Sequence, residues 1–244
     1  MDVGEVVCLV TGAARRIGRE LAIALGSRGA RVVLHCHRSG VVADEAAEAV
    51  RRAGGAAAIL RADLSSEEEV RRLGDEAERP FGPVEILVNN AAVFYPTPLE
   101  SLDGSTWDHV LGVNLKAPAF LALRLGLRMK RRGRGKIVNV ADWAGERPYA
   151  GYLPYCISKA GLLAMTRALA KELAPEVQVN AVSPGPVLPP DGMPPAEMAE
   201  ALRRTPLGRV GSPADVVAAT MFFIEGTDFS TGANLPVDGG RMVY

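Results

Sequence analysis

Short runs of β-branched and apolar residues alternate along the chain with segments whose apolar positions recur every three or four residues. VVCLVTG (6–12) predicts a strand, and RIGRELAIALGSRG (16–29) a helix closed by a glycine. RVVLHC (31–36) predicts a second strand, and VADEAAEAVRRAGG (42–55) a helix stopped at Gly54 and Gly55. AAILRADL (57–64) reads as a third strand. SSEEEVRRLGDEAERP then opens with a serine cap and three acids, which suit the positive end of a helix dipole. VEILVNN (84–90) is a fourth strand, a long helix fills about 105–132, and GKIVNVAD (135–142) is a fifth strand. A helix over about 153–173 and a sixth strand, VQVNAVSPG (177–185), follow. Regular alternation of this kind predicts an α/β protein with a doubly wound, mostly parallel sheet of about seven strands and helices on both faces.

Pro- and Gly-rich SPGPVLPPDGMPP (183–195) is too long for a plain turn and follows the C-terminal end of a strand. It reads as a substrate lid spanning about 183–205. No repeat, linker or second domain interrupts the pattern, so residues 1–244 are expected to form one domain.

Composition narrows the function. With 244 residues and 48% hydrophobic content the chain can bury one substantial core. Twenty-eight basic residues balance 28 acidic ones, and no basic stripe suggests a nucleic-acid partner. Cys8, Cys36 and Cys156 are widely spaced, forming neither a disulfide framework nor a metal-ligand spacing, which suits a reducing cytoplasm. The N-terminus enters a strand directly, without a signal-peptide pattern. No unbroken apolar run reaches the ~18 residues of a membrane helix, so no membrane partner is expected.

TGAARRIG (11–18) follows the first strand and opens the first helix, where free N–H groups and the dipole favour an anion such as a pyrophosphate. Arg15 and Arg16 oppose that dipole, and an anionic ligand reverses the sign of their contribution. A ribose 2′-hydroxyl is usually gripped by an acid about 20 residues after such a loop. Here that region is LHCHRSG (34–40), where His37, Arg38 and Ser39 offer donors and positive charge instead. A 2′-phosphate suits them, so NADP(H) is expected over NAD(H). Further on, Tyr155 and Lys159 stand one helical turn apart on one face. An ammonium beside a phenol is expected to lower its pKa from ~10 and equip it for proton transfer.

TGAARRIG, NNAA (89–92), Asn114 in VNLKAP, YCISK, SPGP and VDGG together resemble a classical short-chain dehydrogenase/reductase, over nearly the whole chain. Arg16 replaces the middle glycine of that family's phosphate loop. The resemblance implies a Rossmann-type fold and a nicotinamide cofactor held by Gly12, Arg16, Ile17, Gly18, Asp63, Leu64, Asn90, Ala91, Lys159, Pro184, Gly185 and Val187. It implies that Asn114 supports a proton relay beside Lys159, and that Asn89 and Asn90 pack the fourth strand against the cofactor loop. It also implies a homotetramer built through the helix near 105–132 and the Tyr155 helix.

Most of that family carries serine where this chain has Asp142. A carboxylate there repels the negative charge developing on a reduced carbonyl, whereas a protonated Asp142 could donate to a ring nitrogen. The pteridine reductases carry aspartate at this site, and LHCHRS, NAAVFYPTP (90–98) and PPDGMPPAEM (189–198) are similar to their cofactor, substrate and lid segments. In that likeness Phe94 stacks on the pterin, and Asp142, Tyr155 and Leu188 line the substrate site. Ala92 departs from it, standing where those enzymes carry a pterin-contacting serine. The first reading is an NADPH-dependent reductase of a pterin or folate C=N bond. The alternatives are a carbonyl reductase, such as a 3-oxoacyl-carrier-protein reductase, and a redox sensor that holds NADPH without turnover.

Overall fold

Val7–Val10 (β1), Arg31–Cys36 (β2), Ile86–Asn89 (β4) and Gly135–Val140 (β5) are buried along almost their whole length, because helices cover both faces of the sheet they build. The computed structural model describes residues 1–38, 40–188, 199–200 and 202–243; Ser39 and residues 189–198, the middle of the expected lid, lie outside them. Ala56–Arg61 (β3), Val177–Pro184 (β6) and Asn234–Val237 (β7) complete a seven-stranded, all-parallel sheet in the order β3-β2-β1-β4-β5-β6-β7. Strand order reverses between β1 and β4, so a crevice opens at the C-terminal ends of those strands, where ligands of such sheets bind.

One face is covered by Arg16–Gly26 (α1), Gly40–Arg52 (α2) and, late in the chain, Pro213–Met221 (α7). Leu21, Leu25, Val32, Val50, Val138 and Val216 fill that core. The other face is covered by Glu67–Glu76 (α3), Gly104–Leu111 (α4), Ala117–Arg132 (α5) and Leu153–Leu173 (α6), over Leu9, Leu73, Leu121, Leu125, Met129 and Ile137. Leu125 is fully buried, so Leu125→Ala removes packing worth about 2–5 kcal/mol. Local signals start and stop the helices: Ser66 accepts from the Glu69 N–H, Ser212 and Asp215 form a capping box, and α5 ends at Gly133 with φ 80°.

Two features differ from the sequence reading. The helix expected over 105–132 is interrupted by a π turn at Gly112–Lys116, which carries Asn114. The stretch Gly104–Arg132 is also long and apolar enough to cross a membrane by length and composition, which a search for unbroken apolar runs misses. Half of its most apolar window is buried inside the fold, as in a core helix.

Candidate active site

The chain leaves β1 through Thr11 and Gly12 and enters α1 at Arg16. Gly12 adopts φ 65°, and a Cβ on Gly18 would stand 2.2 Å from the Gly12 carbonyl oxygen and 2.5 Å from Asn90 Nδ2, so only glycine lets the helix start this close to the strand ends. Asn90 laces β4 to the loop, its amide donating to the carbonyls of Thr11 (2.8 Å) and Gly12 (3.3 Å). The Thr11 hydroxyl accepts from the N–H groups of Asn90 and Ala91. Asn89 turns the other way and donates to Asn139 on β5 at 2.9 Å, so the two asparagines do not share a task. Arg16 holds φ 52°, a left-handed conformation that costs a non-glycine residue roughly 1–2 kcal/mol. Its guanidinium donates to the Leu188 carbonyl at 2.9 Å, bridging the loop to the segment after β6. Ile17 packs into the core beneath.

His35, which the sequence reading passed over, fixes the loop from below. Its Nδ1 accepts from the Gly12 N–H at 3.2 Å, and its Nε2 lies 3.0 Å from the Ala62 carbonyl. Nδ1 accepting from an N–H makes Nε2 the protonated nitrogen. Burial pushes the pKa of His35 down, outweighing the Ala62 bond, and keeps the ring neutral.

At the end of β2, His37 and Arg38 are exposed. The nearby carboxylate, Asp63, accepts from the Ser65 N–H and hydroxyl, which hold its pKa below the usual range, and lies 3.6 Å from His37 Nε2. Leu64 is buried beside it. On the far side of the crevice Gly185 donates to the Val237 carbonyl, a Cβ on it would stand 2.7 Å from Asp238, and Val187 is buried against Gly211. Pro184 closes β6 in register with Val237. A cradle that a Cβ would fill, a helix N-terminus and the side-chain donors of Arg16, His37 and Arg38 fit a dinucleotide bearing an extra phosphate.

Asp142 stands just past β5. Its Oδ1 accepts from the Ala144 N–H and the Tyr149 hydroxyl, each at 2.7 Å, and its Oδ2 accepts from the Tyr155 hydroxyl at 2.8 Å. Three donors converge on one carboxylate, so here Asp142 is an acceptor, and donating a proton from it would require a phenol to turn round. Tyr149 was not legible in the sequence as a site residue. The expected lowering of the Tyr155 pKa by Lys159 is not met. Its Nζ donates to the Val140 carbonyl at 2.9 Å and lies 5.7 Å from the centroid of the Tyr155 ring. Burial, then the Asp142 charge, drive the Tyr155 pKa well above that of a free phenol instead of below it. Tyr155 therefore keeps its proton, which it donates to Asp142. Burial also lowers the pKa of Lys159 to about 8, against the opposing pull of Asp142.

Asn114 is buried on the π turn. Its Oδ1 accepts from the Val93 N–H at 2.8 Å, and its Nδ2 donates to the Val93 carbonyl (3.0 Å) and Ser158 Oγ (3.3 Å). The side chain thus pins the loop carrying Ala92 and Phe94 to α6. Thr97 ties the same loop to Gly151 with a 2.7 Å backbone bond. Phe94 lies flat on Tyr152, centroids 4.6 Å apart, and edge-on to Tyr155 at 4.7 Å. Its partners here are tyrosines of the site wall, and it remains half exposed beside Asp142 and Tyr155.

Residues 12–241 match the protein family described as Enoyl-(Acyl carrier protein) reductase. The cis-4-hydroxycyclohexanecarboxylate dehydrogenase of Sinomonas cyclohexanicum is 37% identical over 241 residues, covering 97% of this chain and 96% of the relative. The acetoacetyl-CoA reductase of Allochromatium vinosum is 33% identical over 247 residues, covering 98% and 99%. Among solved structures, the FolM alternative dihydrofolate reductase 1 of Brucella canis, complexed with NADP, superposes with a TM-score of 0.92 at 33% identity, covering 100% of this chain and 96% of that one.

Proposed function

This chain belongs to the short-chain dehydrogenase/reductase family of oxidoreductases, and from that premise we propose that it is an NADPH-dependent reductase of a C=N bond in a pterin or dihydrofolate-like substrate. The observation that carries the reading is a carboxylate, Asp142, wired to the acid Tyr155 at the site's centre. Next to it the half-exposed ring of Phe94 offers a face to a flat heterocycle. The FolM structure, a dihydrofolate reductase by its description, supports the same direction.

Gly12, Arg16, Ile17, Gly18, His37, Arg38, Asp63, Leu64, Asn90, Ala91, Pro184, Gly185 and Val187 would hold the dinucleotide, with Lys159 at its nicotinamide end. Ser39 and the lid segment 189–198 belong to the same proposal and fall outside the described residues. When bound, the nicotinamide supplies a hydride to the carbon of the C=N bond. Tyr155 delivers the proton to the adjacent nitrogen, completing a CH–NH unit. Asp142 orients Tyr155 and accepts from donors on the substrate ring, and Tyr149 holds the second carboxylate oxygen in place. Leu188 lies at the rim, tied to Arg16.

A carbonyl reductase is the second reading, favoured by the acetoacetyl-CoA reductase likeness. NADPH oxidation measured side by side with dihydrobiopterin, dihydrofolate and acetoacetyl thioesters separates the two; turnover of the thioesters alone would reject the pterin reading.

The reading includes a homotetramer. Phe120, Leu123 and Leu127 on α5 and Leu153 and Ile157 on α6 remain exposed at helical spacing, as a subunit contact requires. A monomer in sedimentation at micromolar concentration would overturn this. Three widely spaced, buried cysteines suit a reducing cytoplasm, and the balance of 28 acidic and 28 basic residues suits neither a nucleic acid nor a membrane partner.

A further inference from the structure

Arg16 opens α1 at φ 52°, a conformation that glycine would hold without strain. Strained backbone persists where the surrounding structure over-determines it and function uses it, so the arginine side chain calls for a role. One donor, on Nη2, goes to the Leu188 carbonyl at 2.9 Å. The remaining guanidinium donors have no partner among the described residues. Among those residues this is also the only hydrogen bond between the phosphate loop, 11–18, and the segment 184–188 across the crevice. The other ties on that segment come from its own side. The Gly185 N–H donates to the Val237 carbonyl at 2.9 Å, and the Gly211 N–H to the Pro186 carbonyl at 3.0 Å.

We propose that Arg16 is a positioning residue that couples the two halves of the site: it takes the pyrophosphate of NADP(H) on its open donors while it keeps hold of the Leu188 carbonyl. The cofactor thereby fixes the backbone at 185–188, on the rim where the substrate rests. This role is more than a phosphate contact. A lysine ammonium would supply charge as a compact point, without the planar fork that serves two acceptors at once. Glycine would supply the turn and neither contact. Coupling of this kind is reciprocal, so whatever the cofactor adds to substrate affinity, the substrate adds to cofactor affinity. The inference rests on the reductase reading for what fills the rim; the tie itself needs only the dinucleotide.

The probe is 2′-phospho-ADP-ribose, which carries the pyrophosphate and lacks the nicotinamide ring that would touch a substrate directly. Hydrogen exchange is followed on the full chain with and without saturating probe. In the wild type the amides of Gly185, Val187 and Leu188 should exchange at least about fivefold more slowly with the probe. In Arg16→Gly and Arg16→Lys that slowing should disappear, while the amides at 12–18 remain slowed. Arg16→Gly removes the left-handed strain, so its Tm should not fall, and slowing lost there is not lost fold. Equal slowing at the three amides in wild type and variants, or none in the wild type, would overturn the tie. Calorimetry then reads the coupling itself, with dihydrobiopterin and acetoacetyl-CoA each titrated with and without the probe. Whichever binds should bind the wild type at least about fivefold more tightly with the probe present, and the variants with no such gain. A gain that survives in the variants overturns the coupling. Binding of acetoacetyl-CoA alone counts against the pterin reading, while the comparison within that ligand still decides the role of Arg16.

Discussion

Tyr155 donates its phenolic proton to Oδ2 of Asp142 at 2.8 Å, so the phenol proposed as proton donor is held by the carboxylate just past β5. Asp142→Asn preserves the shape but ends the carboxylate's hold on that proton. Because the Asp142 charge is the second cause, after burial, of the raised Tyr155 pKa, its removal should let the phenol titrate at lower pH than in the wild type. Phenolate absorbance against pH checks this. Pterin kcat should fall by about 10²–10⁴, the usual worth of positioned acid–base catalysis, with NADPH binding retained. A wild-type rate with an unchanged pH profile would make Asp142 purely structural.

Arg38 lies at the end of β2, exposed, in a stretch, 34–40, whose sequence holds no acid. Removing a fork that grips a 2′-phosphate costs about 1.5–3 kcal/mol. Arg38→Ala should therefore raise the NADPH KM roughly ten- to a hundredfold and leave the NADH KM almost unchanged. Equal losses with both cofactors would place the damage elsewhere.

His35 separates two bonds that substitution can test one at a time. Asn at this position keeps an oxygen where Nδ1 accepts the Gly12 N–H, and Gln keeps a donor where Nε2 meets the Ala62 carbonyl. An unmet Gly12 N–H costs about 1–3 kcal/mol, so His35→Gln should raise the NADPH Kd about tenfold and His35→Asn much less. Because burial lowers the folded pKa of His35, the unfolded chain protonates first as pH falls. Stability from this residue is present above ~6.5 and is lost below it. His35→Asn should flatten that part of the stability–pH curve. Equal NADPH Kd values for the two variants would remove His35 from the loop's support.

The sheet and its helices were legible because strands buried on both faces become apolar runs, and α6, predicted over 153–173, spans Leu153–Leu173. The π turn at Gly112–Lys116 was not, since one extra residue in a turn barely disturbs the apolar periodicity of the flanking helices. α7 carried its own signals in Ser212, Pro213 and Asp215, which the alternation pattern alone does not weigh. Asp142, Tyr155 and Lys159 come together as the motif suggested, yet their polarity differs from it. Tyr149, seven residues past Asp142 on an irregular segment, and His35, inside a strand, acquire their partners only by tertiary packing. The same packing turns Tyr155 away from the acidity expected beside an ammonium: burial and a carboxylate at 2.8 Å outweigh an ammonium 5.7 Å from the ring.

Lys159 sets stability against activity. It is buried, and its pKa falls from 10.5 to about 8 because burial disfavours the charge more than Asp142 favours it. Below pH 8 both folded and unfolded chains carry the proton, and the folded chain bears the cost of a buried ammonium. Between 8 and 10.5 the unfolded chain binds more protons, so this residue's contribution to stability rises with pH across that window. The difference corresponds to roughly 3 kcal/mol at neutral pH, partly offset by about 1 kcal/mol for the bond to the Val140 carbonyl. Lys159→Met should thus raise Tm at pH 7 by roughly 2–8 °C, with the gain shrinking toward pH 10, while reductase activity drops by about 10² or more. Scanning calorimetry of both proteins across that range checks it. A lower Tm for Lys159→Met at pH 7 would mean that the ammonium, through Asp142 and Val140, stabilises the fold more than its burial costs.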